Sequence, residues 1–175
     1  FSVFPSPDGT KAAVQTSNTD ASSTDVTIVS LVAGGECPEL VTHQTSEPSG
    51  YGLFTRAPIV WAPTSAAVVY AVVDTAPDPA TLRLVRLDAI AGATPSEVIP
   101  PSGTQLLHPL GWSVANRLLV QTTVGSKVVL ATLPVGGGAL RVLSALNPAD
   151  FTPPFPQAAF FWTGYFAPGS TTVVY

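Results

Sequence analysis

Val26-Thr27-Ile28-Val29-Ser30-Leu31 returns as Leu82-Arg83-Leu84-Val85-Arg86-Leu87, and again as Val128-Val129-Leu130-Ala131-Thr132-Leu133. The three stretches align without gaps. Their first, third, fourth and sixth columns are apolar throughout, and the fifth is always polar. A glycine turn follows each, at Gly34, Gly92 and Gly136. Self-similarity at a period of about 40 to 50 residues is the signature of repeat architectures such as propeller blades.

A second landmark recurs upstream of the first. Ser6-Pro7-Asp8-Gly9 leads into Ala12-Ala13-Val14-Gln15-Thr16, and Trp61-Ala62-Pro63-Thr64-Ser65 leads into Val68-Val69-Tyr70. Trp112-Ser113-Val114-Ala115-Asn116 leads into Leu118-Leu119-Val120-Gln121-Thr122. Phe166-Ala167-Pro168-Gly169-Ser170 leads into Val173-Val174-Tyr175. Segments rich in Val, Leu, Thr and Tyr, bounded by Pro, Gly, Asn and Asp, read as strands and tight turns. Twelve-residue windows with a sustained helical period are absent.

Each repeat therefore reads as a four-stranded antiparallel sheet, and the chain as all-β. Strands are expected near 1–4, 11–17, 25–32 and 38–43, then 57–62, 67–74, 81–88 and 96–100. A third set is expected near 107–113, 117–123, 127–134 and 139–145. A fourth repeat supplies only two, near 158–166 and 171–175. The chain is thus one propeller segment of about three and a half blades, an incomplete ring. Its blades span 1–44, 54–101 and 106–146, with a half blade at 157–175. The second and third strands of a repeat are apolar on both faces in places, as from Ala67 to Val73, which suits strands sandwiched between neighbouring sheets.

Phe4-Pro5-Ser6-Pro7-Asp8-Gly9-Thr10-Lys11, followed by an apolar strand, resembles the repeat of TolB-like propellers and of the propellers of prolyl-oligopeptidase-type peptidases. The second and fourth repeats keep the aromatic, the proline and the small polar turn, and the third lacks the proline. The resemblance implies a propeller fold. Locally, Pro7 fixes φ, Asp8 can accept bonds from the backbone ahead, and Gly9 accepts positive φ. The motif is a structural turn.

Composition narrows the function. Charged residues are 10% of the chain, against about 25% in a typical domain. Seven basic residues against eleven acids give a net charge of −4, with no basic stripe, so nucleic acid is excluded as a partner. The proline-broken segment 151–175 does not make a membrane helix, so no membrane span is expected. The Ala/Val/Thr/Pro-rich, lysine-poor composition resembles secreted proteins of high-GC bacteria and points to a secreted, periplasmic or cell-surface location. The chain begins at Phe1 and contains no Met, which suggests processing or a longer parent chain.

No catalytic residues are assigned. His43 and His108 stand outside any metal-ligand spacing, and Gly-x-Ser-x-Gly is absent. No cofactor is expected. Calcium at the oxygen-rich 18–25 loop is the weak exception. A propeller enzyme of lactonase or glycosidase type would need several carboxylates or a metal at a channel mouth, and the acids here lie mostly in peripheral loops. The lone Cys37 reads as a partly buried structural thiol. A non-catalytic scaffold that binds protein is the first reading. The alternative is the accessory gating propeller of a prolyl-oligopeptidase-like serine hydrolase. Three and a half blades leave an open edge and an apolar face. The rings of Phe160, Phe161, Trp162, Tyr165 and Phe166 at that end are the candidate interface with the remaining blades or a partner.

Overall fold

The computed structural model describes residues 1–17, 23–46, 59–74, 81–125, 127–146, 165–167 and 169–174. All regular elements among them are strands. The first sheet holds β1 (Ser2–Pro5), β2 (Lys11–Ser17), β3 (Ser23–Ser30) and β4 (Glu39–Ser46). The second holds β5 (Val60–Trp61), β6 (Ala67–Asp74), β7 (Thr81–Asp88) and β8 (Ser96–Val98). The third holds β9 (Thr104–Trp112), β10 (Arg117–Val124), β11 (Lys127–Pro134) and β12 (Arg141–Leu146). A two-stranded hairpin follows, β13 (Tyr165–Phe166) and β14 (Val173–Val174). In each sheet, sequence neighbours are spatial neighbours and every pairing is antiparallel. The fold is therefore all-β, with three four-stranded sheets and no closed ring among the described residues.

The sheets stack by strict alternation along their strands. Val68, Tyr70 and Val72 of β6 face the first sheet and pack with Ala13, Val26, Ile28 and Val41. Ala67 and Val69 point the other way and pack with Leu118, Val120, Val129, Ala131 and Leu133 of the third sheet. The second sheet is thus buried on both faces, which explains its continuous apolar run. Fully burying one such aliphatic side chain stabilises by roughly 1.5–3 kcal/mol. Among the described residues, the outer face of the first sheet joins neither core. There Val3 is 50% exposed, while Val14 and Val29 are only partly buried.

The first and third sheets carry the same irregularity. Ile28 pairs with Val41 and Val29 with Glu39, leaving Leu40 as the extra residue of a bulge. Leu130 pairs with Ser144 and Ala131 with Val142, leaving Leu143 extra. Ile28 and Leu130 occupy the same column of the repeat. The bulge re-aims the outermost strand, which accounts for the consecutive apolar pair Val142-Leu143.

Some strand ends differ from expectation. β8 stops at Val98, because Pro100 and Pro101 cannot extend the ladder. β9 begins at Thr104, immediately after the positive-φ Gly103. Most of the expected 158–166 strand lies outside the described residues. Among the described residues, no helix is long and apolar enough to cross a membrane.

Candidate functional site

The turns between first and second strands build a concave feature. Each is closed by the same two backbone bonds. Ser6 N donates to Lys11 O at 2.9 Å and Gly9 N to Ser6 O at 3.0 Å. Ala62 N to Ala67 O (2.8 Å) and Ser65 N to Ala62 O (2.9 Å) repeat the pattern. Ala167 N to Thr172 O (2.9 Å) and Ser170 N to Ala167 O (3.0 Å) repeat it once more. In the third sheet the loop is one residue shorter, with Ser113 N on Arg117 O at 2.8 Å. Gly9, Ser65 and Asn116 share the left-handed position, at φ 70°, 57° and 55°. Only Gly takes that conformation without strain, and Asn tolerates it better than most residues.

These turns converge on a cleft of about 440 Å³. Trp61, Trp112 and Phe166, which sit at one repeat position, supply its aromatic wall. Pro7, Pro63 and Val114 supply the rim, with Ser113 and Ser170 as hydroxyls. The tryptophans are anchored. Trp61 Nε1 donates to Phe4 O at 2.8 Å across the first and second sheets. Trp112 Nε1 donates to Asn116 Oδ1 at 3.3 Å, and the Arg86 guanidinium lies 6.0 Å from the Trp112 ring centroid. The described lining carries no titratable side chain, so it offers shape, ring faces and hydroxyls rather than acid–base chemistry.

Asp8 stands beside this cleft, with one carboxylate oxygen engaged by its own turn. Its Oδ1 accepts from Thr10 N (3.0 Å), Ser6 Oγ (2.7 Å) and Thr10 Oγ1 (2.9 Å). The Thr10 amide first, then the Ser6 hydroxyl, hold its carboxyl well below the usual carboxylate range. A carboxylate so engaged orders a turn and makes a poor proton acceptor.

A second polar group bridges the first two sheets at their opposite end. His43 Nδ1 and Tyr70 Oη lie 2.5 Å apart. Burial lowers the His43 pKa, and the nearby Arg83 charge lowers it further. Burial raises that of Tyr70. His108 is also buried, and burial lowers its pKa. Among the described residues, no three His, Cys, Asp or Glu side chains gather as metal ligands.

Of the candidate interface rings, Phe160, Phe161 and Trp162 lie outside the described residues. Tyr165 and Phe166 form β13, and a Cβ at Gly111 of the third sheet would lie 3.3 Å from Phe166 Cδ2. Residues 18–22 of the loop weighed for calcium are also outside the described set. Cys37 corrects the expectation of a partly buried thiol. It is exposed, because the Ala33–Pro38 turn projects from the sheet end. The aromatic cleft was not anticipated, although Trp61 and Trp112 stand at matching places in the repeat.

No family model matches the chain. No curated protein matches it by sequence. A solved structure from a study of two prolyl endopeptidases, with the role of inter-domain dynamics in catalysis and specificity as its subject, is similar at a TM-score of 0.54 and 18% identity. The similarity covers 82% of this chain and 21% of that one, so the chain spans about a fifth of its length. At this identity the likeness is one of fold. The chain resembles part of a propeller.

Proposed function

We propose that this chain is a segment of a larger β-propeller that serves as a structural and protein-binding scaffold. The carrying observation is the stack of three sheets whose middle member is buried on both faces, while the outer face of the first joins no core among the described residues. Further blades of the same repeat cover that face and complete the β13–β14 hairpin in this reading. The aromatic cleft, built where the turns converge, is the binding surface. The lysine-poor composition supports a secreted, periplasmic or cell-surface location.

A second reading is favoured by the fold likeness to a prolyl endopeptidase. Here the segment belongs to an accessory propeller that gates a serine hydrolase. The coding sequence around this segment separates the two. Further repeats alone support the scaffold, and an adjoining domain with a Gly-x-Ser-x-Gly elbow supports the gate. Light scattering tests the shared premise. A well-behaved 18.0 kDa monomer with no further blades would contradict both.

A further inference from the structure

A second cavity, of about 290 Å³, lies between the third sheet and the β13–β14 hairpin. Its polar side is made by Arg117, Arg141, Ser113, Thr132 and Thr171. We propose that this cavity binds an organic carboxylate that bears an apolar substituent.

The register brings the two guanidinium-bearing positions together. Arg141 pairs directly with Thr132 across β11–β12. Arg117 lies on β10, two residues before Leu119, the partner of Thr132 on the other side. Arg117 is held in place. Its Nε and Nη2 donate to Thr132 Oγ1 at 3.2 and 3.1 Å, and Nη2 also donates to Thr132 O at 3.1 Å. Its backbone amide donates to Ser113 Oγ at 3.2 Å. Ser113 and Thr132 are both buried, so the anchor points are rigid. These bonds engage only one edge of the guanidinium and leave Nη1 for a ligand.

Among the described residues neither arginine is paired with an acid, and the described lining contains no carboxylate. Two of the chain's seven basic residues thus share one concave site in a protein of net charge −4. An anion set between the two guanidinium groups would be favoured by both charges. Planar guanidinium forks suit carboxylate oxygens, and the three hydroxyls can donate as well. Leu143, Phe166 and Val173 form the remaining wall. That wall calls for an apolar group beside the charge, and the volume suits one of about the size of a single side chain. Small aryl or alkyl acids carry this chemistry, and so does the C-terminal residue of a polypeptide.

The test is calorimetric titration of the natural chain carrying this segment with N-acetyl-phenylalanine, its amide, an acetylated Ala-Ala-Phe peptide with a free C-terminus, and inorganic phosphate. Saturable binding of a free acid is expected, with the amide weaker by about tenfold or more and affinity falling as salt rises. Tighter binding of the peptide assigns the site to polypeptide ends, and tighter binding of the single residue assigns it to small acids. Arg141→Gln should weaken binding by about fivefold or more without disturbing folding, because Arg141 is exposed and bonded to nothing else among the described residues. Arg117→Gln, checked for folding by its unfolding midpoint, should weaken it further. Equal binding of acid and amide, phosphate as tight as the acids, an Arg141→Gln variant of unchanged affinity, or no binding by either acid would overturn the proposal.

Discussion

The amide of Asp8 donates a 3.1 Å hydrogen bond to Ser65 Oγ, joining the turn of the first repeat to the same turn of the second. Lys11 Nζ reaches the Ser65 carbonyl at 3.4 Å, and Trp61 Nε1 reaches Phe4 O. The first two repeats are therefore latched through their turns as well as through apolar burial. Ser65 is fully buried and sits at φ 57°, so its hydroxyl role is obtained at some backbone strain.

Ser65→Ala should lower stability by about 1–3 kcal/mol, because it leaves the Asp8 amide without its acceptor. Ser65→Gly relieves the strained φ and should cost less. Urea unfolding of the two variants checks the order. A Ser65→Ala variant as stable as the parent would show that the latch contributes nothing.

Asp8 predicts a particular acid response. Folding depresses its pKa, so near pH 4 the unfolded chain binds more protons than the folded one. The contribution of this carboxylate is complete above the unfolded value of 3.8 and is lost as pH falls toward the folded value. Asp8→Asn should flatten the fall of unfolding free energy between about pH 5 and pH 2. An unchanged slope would contradict the turn network.

His43 and His108 should both titrate below 6.5 in the folded chain, since burial disfavours the imidazolium in each. A depressed histidine pKa contributes stability above the unfolded value, and that contribution is lost as pH falls below about 6.5. Tyr70→Phe should remove about 1 kcal/mol by deleting the partner of His43. Imidazole resonances followed by NMR against pH give the test. A titration at or above 6.5 for His43 would contradict the buried inter-sheet pair.

Gly137 seals the approach of the second and third sheets. It sits at φ 84°, and a Cβ there would meet the Ile99 carbonyl oxygen at 2.6 Å. Gly137→Ala should cost at least about 2 kcal/mol, since both the dihedral and the contact oppose it. Gly136→Ala, with nothing within 4 Å and no positive φ, serves as the near-neutral control. Thermal unfolding of the pair checks the contrast.

The central strands were legible because burial on both faces leaves short continuous apolar runs bounded by turn residues. Lys11–Ser17, Ala67–Asp74, Thr81–Asp88 and Lys127–Pro134 were expected at those bounds and are found there. Outer strands were less legible. The bulges at Leu40 and Leu143 interrupt alternation, and a register shift is a pairing property that one strand does not encode. The clefts were hidden for a related reason. Trp61, Trp112 and Phe166 are roughly fifty residues apart, and only the stacking of turns brings them to one wall. Arg117 and Arg141 belong to different strands, and the β10–β11–β12 register unites them.

The most direct test is an experimental structure of the natural chain that carries this segment. The expected map shows the three sheets in succession around one axis, with another four-stranded antiparallel sheet laid over Val3, Val14 and Val29. A map in which those side chains face bulk solvent, or in which the sheets close on each other as a sandwich, would contradict it.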